Sequence, residues 1–317
     1  MISLLSHLLA TIGRQGTKAV AASIFVGLAL PPLAALAKPV LVPCILCLLG
    51  MSFMRTDLRR VSGRRHAPVL AAALVWIMGV LPLVFGFTVN RLLPPSDSGL
   101  MLALVMQAAA PPIMSTPAFA ALLGIDAALS LAVMLLGLCI LPLTAPLFVA
   151  YFTDGALALD GAALAGRLAL ILVACAGGGL LLRAVIGPVR LTRWNDQLNG
   201  LNALLLLVLA VAFMDGVTAR FMVEPLLVLG LAGLAALVSG VALVTTLVVF
   251  RRVEPGQDLM LAYAAGNRNF GLMVAAAGGL LPETTWLYVA LAQFPIYLLP
   301  YLLRPLAARV LRGAERP

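Results

Sequence analysis

Arg268 lies deep inside an apolar run from about Leu259 to Leu281, in the stretch Tyr263-Ala264-Ala265-Gly266-Asn267-Arg268-Asn269-Phe270-Gly271. A charge at the centre of a membrane helix costs ~3 kcal/mol on insertion scales, so such a residue faces a protein cavity and marks a pathway for ions or substrates. Two glycines and two asparagines flank it, and these residues favour a helix that breaks there. A second cluster reads Gln107-Ala108-Ala109-Ala110-Pro111-Pro112-Ile113-Met114-Ser115-Thr116-Pro117. Each proline lacks a backbone donor and crowds the preceding turn, so this run also cannot continue as a regular helix. The chemistry expected of the pair is binding: a fixed cation, amides and hydroxyls beside backbone groups released from helical bonding.

The elements that position these residues follow from composition. The chain has 317 residues, 63% hydrophobic and 10% charged, with mean hydropathy +1.10. A soluble domain of this composition would expose too much apolar surface. Apolar runs near the ~20 residues needed to cross a bilayer recur along the whole chain. Ten spans are expected, at about 17–36, 39–54, 67–89, 98–122, 126–151, 163–187, 199–218, 222–250, 257–281 and 284–303. Lipid cannot satisfy open backbone groups, so all of them should be helices. The first 16 residues, with Arg14 and Lys18 following an apolar start, read as a cytoplasmic lead-in rather than a cleavable signal.

A net charge of +9 could indicate nucleic acid, but its distribution argues otherwise. Arg14, Lys18, Arg55, Arg59, Arg60, Arg64, Arg65, Arg183, Arg190, Arg193, Arg251, Arg252, Arg304, Arg309, Arg312 and Arg316 fall on one side. These are sixteen of the 21 basic residues. That is the positive-inside bias, and it places both termini in the cytoplasm. Cys44, Cys47, Cys139 and Cys175 lie inside spans, and the Cys44/Cys47 CxxC reads as two buried thiols rather than a redox pair. No cofactor motif is present. Asp196, Asn199, Asn202, Asp258, Ser96 and Asp126 stand at span starts and read as helix caps. Pro82, Pro142, Pro295 and Pro300 read as ordinary kinks.

The spans divide as five plus five, giving halves 1–156 and 157–317. An odd count per half makes the second half enter the membrane inverted. The two interruptions fall in the fourth span of each half, which is the sequence pointer to a transporter site at the bilayer midplane.

These breaks resemble those of the bile acid:sodium symporter superfamily, whose fourth span carries a Pro-Gly-Gly-Thr-Ala-Ser-Asn type motif and whose ninth carries Glu-x-Gly-x-Gln-Asn. The best local match runs from Gly266 to Leu272, with another at Asp126 to Val133. The resemblance implies an all-α membrane protein of ten helices, in a five-plus-five inverted repeat of core and panel domains with two broken crossing helices. It also implies transport of an organic anion. Carried over by position, the motif's Gly and Asn persist as Gly266 and Asn269, and its first Pro as Pro111. The Glu becomes Ala264 and the Gln becomes Arg268. In the fourth span Pro112-Ile113, Met114, Thr116 and Pro117 replace Gly-Gly, Thr, Ser and Asn. Ser130 is kept, and Met134 stands for a Thr. Thr116 and Ser130 are the residual sodium-site positions, too few hard oxygen ligands for the two sodium ions of the relatives.

The expectation is therefore a secondary transporter for a small or amphipathic organic anion, a carboxylate or sulfonate, working by alternating access without sodium. A fixed guanidinium would replace the cation charge, with carbonyls freed around Pro112 and Pro117, Thr116 and Ser130 as acceptors. Substrate-binding candidates are Arg268, Asn269, Asn267, Thr116, Ser115, Met114 and Gln293. The helix breaks are Pro111, Pro112, Pro117, Gly266 and Gly271. No metal, no cofactor and no nucleic acid is expected; the partners are the anion and the bilayer of a bacterial inner membrane. Alternatives are a sodium-coupled symporter of the same superfamily, a carrier of the auxin-efflux or arsenite-efflux type, or a scaffold or sensor that kept the fold. An enzyme is disfavoured, since His7 and His66 lie outside the spans and no catalytic motif appears.

Overall fold

In the computed structural model the described residues, 22–56, 67–92, 97–122, 127–153, 160–254 and 256–314, are helical apart from short connections. Arg14, Lys18, Arg59, Arg60, Arg64, Arg65, Ser96, Asp126, Asp154, Arg316, His7 and His66 lie outside them, as does the lead-in. In chain order the helices are α1 (22–29), α2 (Pro31–Arg55), α3 (Ala67–Leu92), α4 (Ser98–Ala109), α5 (Thr116–Leu122), α6 (Ala128–Thr153), α7 (Gly161–Ile186) and α8 (Pro188–Arg193). There follow α9 (Asn195–Phe213), α10 (Val217–Val223), α11 (Pro225–Val249), α12 (Gln257–Gly266), α13 (Phe270–Ala277), α14 (Glu283–Leu291) and α15 (Gln293–Ala314). Among the described residues, seven helical segments are long and apolar enough to cross a bilayer. The protein is an integral membrane protein of helical type.

The junction between the first two spans falls at Leu30, not at 37–38 as expected from hydropathy. Leu30 has φ −124° and ψ 70°, and Pro31 and Pro32 open the next helix at its first two positions. Proline suits that place because the N–H it lacks would have no helical acceptor there. Lys38-Pro39 is absorbed as a single 3-10 turn. Capping also differs from expectation. α9 begins at Asn195 with no side-chain cap, so Asn199 and Asn202 lie within the helix rather than at its cap. Asp97 caps α4 by accepting from the Leu100 N–H at 2.9 Å.

Packing divides the chain into two units. The first comprises Met1–Thr56 and Leu170–Leu231, the second Asp57–Ala169 and Ala232–Pro317. Each unit therefore draws on both halves of the sequence. In the first unit α2 packs on α9. Lys38 bridges to Asp215 at 2.7 Å, and Arg55 donates to the side chains of Asn195 and Asn199 at 2.9 and 2.6 Å.

The second unit holds both interruptions. Its core gathers Ile77 and Met78 of α3, Leu129 and Val133 of α6, and Met260, Leu261, Ala264 and Ala265 of α12. α4 packs against α6 and α14. α12 is buried along its whole length, unlike an amphipathic surface helix. Gly266 permits this: a Cβ there would stand 2.8 Å from the Ser239 carbonyl and 3.0 Å from Leu243 Cβ, so α12 and α11 touch backbone to backbone.

Candidate functional site

The two interrupted segments meet as a pair of extended stretches. α4 ends at Ala109, and Ala110 takes φ −59° and ψ 147°, the extended geometry that a following proline enforces. α12 ends at Gly266, and Asn267 is extended at φ −116°, ψ 99°. Pro112 and Arg268 face each other in an antiparallel bridge. The Ile113 N–H donates to the Asn267 carbonyl at 3.0 Å, and the Asn269 N–H to the Pro111 carbonyl at 2.8 Å. In this register the bonds belong to the neighbours of the facing pair, so Pro112 has no donor to lose. Each chain thus satisfies backbone groups that the other's break released. Pro117 sits at the second position of α5, where its missing donor is again harmless.

Arg268 closes the crossing. The residue is 2% exposed. Nε donates to the Ala265 carbonyl at 2.7 Å, Nη1 to Ala110 at 2.9 Å and Nη2 to Ile77 at 3.1 Å. Each acceptor has lost its helical donor for an identifiable reason. The Asn269 N–H, four residues after Ala265, is diverted to Pro111. Ala110 turns out of the helix ahead of two prolines. Ile77 lies in a π turn, Trp76–Val80, where the Leu81 N–H bonds to Trp76 instead of Ile77. The next donor in a π register would be residue 82, which is Pro82 and has none. Three carbonyls from α3, the α4 break and α12 therefore converge on one guanidinium, whose planar fork suits several divergent acceptors. No described carboxylate pairs with it. Its charge is met by carbonyl dipoles.

The remaining candidates are distributed around this centre. The Thr116 hydroxyl donates to the Ile113 carbonyl at 2.7 Å and the Ser130 hydroxyl to Ala127 at 2.7 Å, so both serve their own turns. Asn267 is fully buried. Its Nδ2 donates to the Ile296 carbonyl at 3.1 Å, while its Oδ1 has no partner. Asn269 is half-buried at the start of α13 and its side chain makes no cap bond. Ser115 is exposed and shares a hydrogen bond of 3.0 Å with the Tyr263 hydroxyl. Met114 is half-buried between the break and α5, and Gly271 half-buried in the first turn of α13. Gln293 is buried and donates to Val289 at 3.0 Å within its own span. Gly137 of α6 lies under the prolines, where a Cβ would stand 3.0 Å from Pro112 Cδ.

Several participants escaped sequence reasoning. Pro82 reads there as an ordinary kink, yet its missing N–H helps free the Ile77 carbonyl. Gln107, Ser239 and Tyr288 form a buried polar chain beside the break: the Tyr288 hydroxyl donates to Gln107 Oε1, and Gln107 Nε2 donates to Ser239 at 3.1 Å. Tyr263 is fully buried and stacks on Phe119 with centroids 4.1 Å apart. The useful signal was a polar side chain in each of several otherwise apolar spans. No family model matches the chain, and no curated protein matches it.

Proposed function

We propose that this chain is a secondary transporter for a small or amphipathic organic anion, working by alternating access around the crossing and without sodium. In this reading it is a divergent relative of the bile acid:sodium symporter superfamily. Ten spans form repeats 1–156 and 157–317, and both termini face the cytoplasm of a bacterial inner membrane. The observation that carries the reading is the guanidinium of Arg268, buried with no carboxylate beside it among the described residues and held by three carbonyls where two broken helices pair. Broken backbone at membrane depth occurs where it is enclosed by protein or lines a cavity, and crossed breaks are the place where such carriers bind substrate. A cation that is part of the chain leaves no need for a free one to organise the carbonyls. Its charge, met by carbonyl dipoles, favours an anion nearby.

Of the two roles open to Arg268, pairing with substrate or holding the site in shape, its burial and three bonds favour the second. Asn269, Asn267, Ser115 and Met114 then make the contacts at the crossing, with Thr116 and Gln293 as further contributors. The test is uptake of cholate, pyruvate and ethanesulfonate into proteoliposomes, with and without a sodium gradient. Uptake of at least one anion, equal in both conditions and abolished by Arg268→Gln, is expected. Uptake that requires sodium would refute the uncoupled mechanism, and wild-type uptake by Arg268→Gln would reduce Arg268 to packing.

A further inference from the structure

The paired stretches have two faces. Successive side chains of an extended segment point opposite ways. Arg268 reaches to Ile77 on α3, while Asn267 reaches to Ile296 on α15. The first face is closed by bonds to carbonyls. The second holds a buried polar atom with no partner, Asn267 Oδ1. The amide orientation follows from its neighbour: Nδ2 must face the Ile296 carbonyl, because two oxygens would repel there. The orphan is therefore an acceptor, and such a group in a native interior calls for a missing donor.

The surroundings say what kind of donor. The Tyr263 phenol shares a hydrogen bond with Ser115 and lies against the N–H side of the Asn267 amide, which leaves Oδ1 still without a partner. Two hydroxyls sharing one bond leave one O–H to spare. The cluster thus offers one acceptor and one donor, which a single hydroxyl group satisfies at once. Phe119 stacked on Tyr263, with Ile113, Leu299 and Leu303, gives it an apolar wall, and exposed Ser115 gives it an open side. The start of α13, eight residues long and without a side-chain cap, lies three positions from Asn267 and two from Arg268. Both favour negative charge there.

We infer that Ser115, Tyr263 and Asn267 form the hydroxyl-recognising half of the substrate site, so the transported species is a hydroxylated organic anion. Its hydroxyl donates to Asn267 Oδ1 and accepts from the Tyr263–Ser115 pair, while its acid group lies toward Asn269 and the start of α13. This rests on the anion-transport reading above and adds Tyr263 to the site.

Matched acids test it on the full chain in nanodiscs: lactate against propionate, mandelate against phenylacetate, and cholate against 5β-cholanate, read by thermal stabilisation. In at least one pair the hydroxylated acid should bind about tenfold tighter or more, because a site built around a hydroxyl rejects the analogue that leaves its polar groups unpaired. Tyr263→Phe, which keeps the ring on Phe119, and Asn267→Leu should each bring that ratio near one. Equal binding within pairs, still lost in Arg268→Gln, would overturn the inference and leave the anion reading standing. A preference that survives both substitutions would also overturn it. Binding of none of the six acids would remove the anion reading itself. Stabilisation by sodium chloride but not N-methylglucamine chloride, lost in Tyr263→Phe, would make the cluster a cation site and overturn both.

Discussion

Truncating Arg268 to Ala measures how far the crossing depends on a tethered cation. Three charge-assisted bonds at ~1.5–3 kcal/mol each would sum to about 5–9 kcal/mol. Hydrogen bonds within membrane bundles average only ~0.6 kcal/mol, or about 2 kcal/mol for three, because released groups find other partners. The structure decides between these figures through what each carbonyl could recover. Ile77 can regain a donor if α3 slips from π to α register, since the Leu81 N–H is then available. Ala110 cannot, because its chain leaves the helix at Pro111. Nor can Ala265, because the Asn269 N–H is committed to Pro111. Two buried acceptors are left open at ~1–3 kcal/mol each, so a loss of about 4 kcal/mol is expected for Arg268→Ala. Arg268→Lys should lose about 2 kcal/mol, having donors but no fork. The assay is unfolding by denaturant titration in mixed micelles, repeated with millimolar guanidinium or methylguanidinium. At ten times its Kd a rescuing cation restores about 1.4 kcal/mol to Arg268→Ala, and it should do nothing for the wild type. If Arg268→Ala unfolds within about 1 kcal/mol of wild type, the three carbonyls are not held by this side chain and the reasoning is refuted.

Three further outcomes follow from the same geometry. Gly266→Ala should lose about 1–3 kcal/mol in the same unfolding assay, since its Cβ would stand 2.8 Å from a backbone oxygen of α11 that cannot move alone. Tyr288→Phe leaves Gln107 Oε1 buried without its donor and should cost about 1–3 kcal/mol; a neutral result would mean water replaces the phenol. Pro82→Ala supplies an N–H that competes with Arg268 for the Ile77 carbonyl. Combined with Arg268→Lys it should lose measurably less than the sum of the two single losses, because both act on one bond.

Membrane class and the two breaks were legible because they depend on local covalent facts: a proline has no N–H, and a mid-span guanidinium must find acceptors. The Ala110 carbonyl could be anticipated for the same reason. Ile77 could not. A π turn adds one residue to a helical turn without altering its apolar character, so hydropathy does not record it. Its only trace is the five-residue spacing from Ile77 to Pro82, which means something only once a donor is known to arrive from Arg268 in the break after α12, 191 residues away. The Leu30 junction was misplaced because hydropathy weighs Lys38 as a boundary, whereas Pro31 and Pro32 decide where the helix starts. Asn199 reads as a cap from its position, yet Arg55 of α2 takes its amide oxygen, a tertiary partner no local pattern names. The unpartnered Asn267 Oδ1 is likewise invisible until Ile296 is seen to claim the other end of the amide.

A tethered cation and a free one differ in what they can do for transport, even when they hold similar carbonyls. A free ion stabilises the arrangement it binds by an amount that grows with its concentration. Its site is fuller on the side of the membrane where the ion is abundant, and that asymmetry is how a gradient biases the direction of substrate movement. A guanidinium joined to α12 through its own backbone has the same local concentration whichever side the crossing faces. On the proposed reading, Arg268 keeps the two breaks paired in every state and contributes the same free energy to each, and a ligand that does not discriminate between two states shifts neither. The substrate's own gradient, or exchange against a second anion, is then the source of net flux. This gives the last prediction. Counterflow in liposomes preloaded with unlabelled substrate should accelerate labelled uptake severalfold in wild type, with no response to imposed sodium. In Arg268→Ala, added methylguanidinium should restore flux only while it is present. If the restored flux also follows an imposed methylguanidinium gradient, the cradle has become a coupling site once the cation is set free. If restored flux ignores that gradient, the role assigned to the tether in uncoupling transport is wrong.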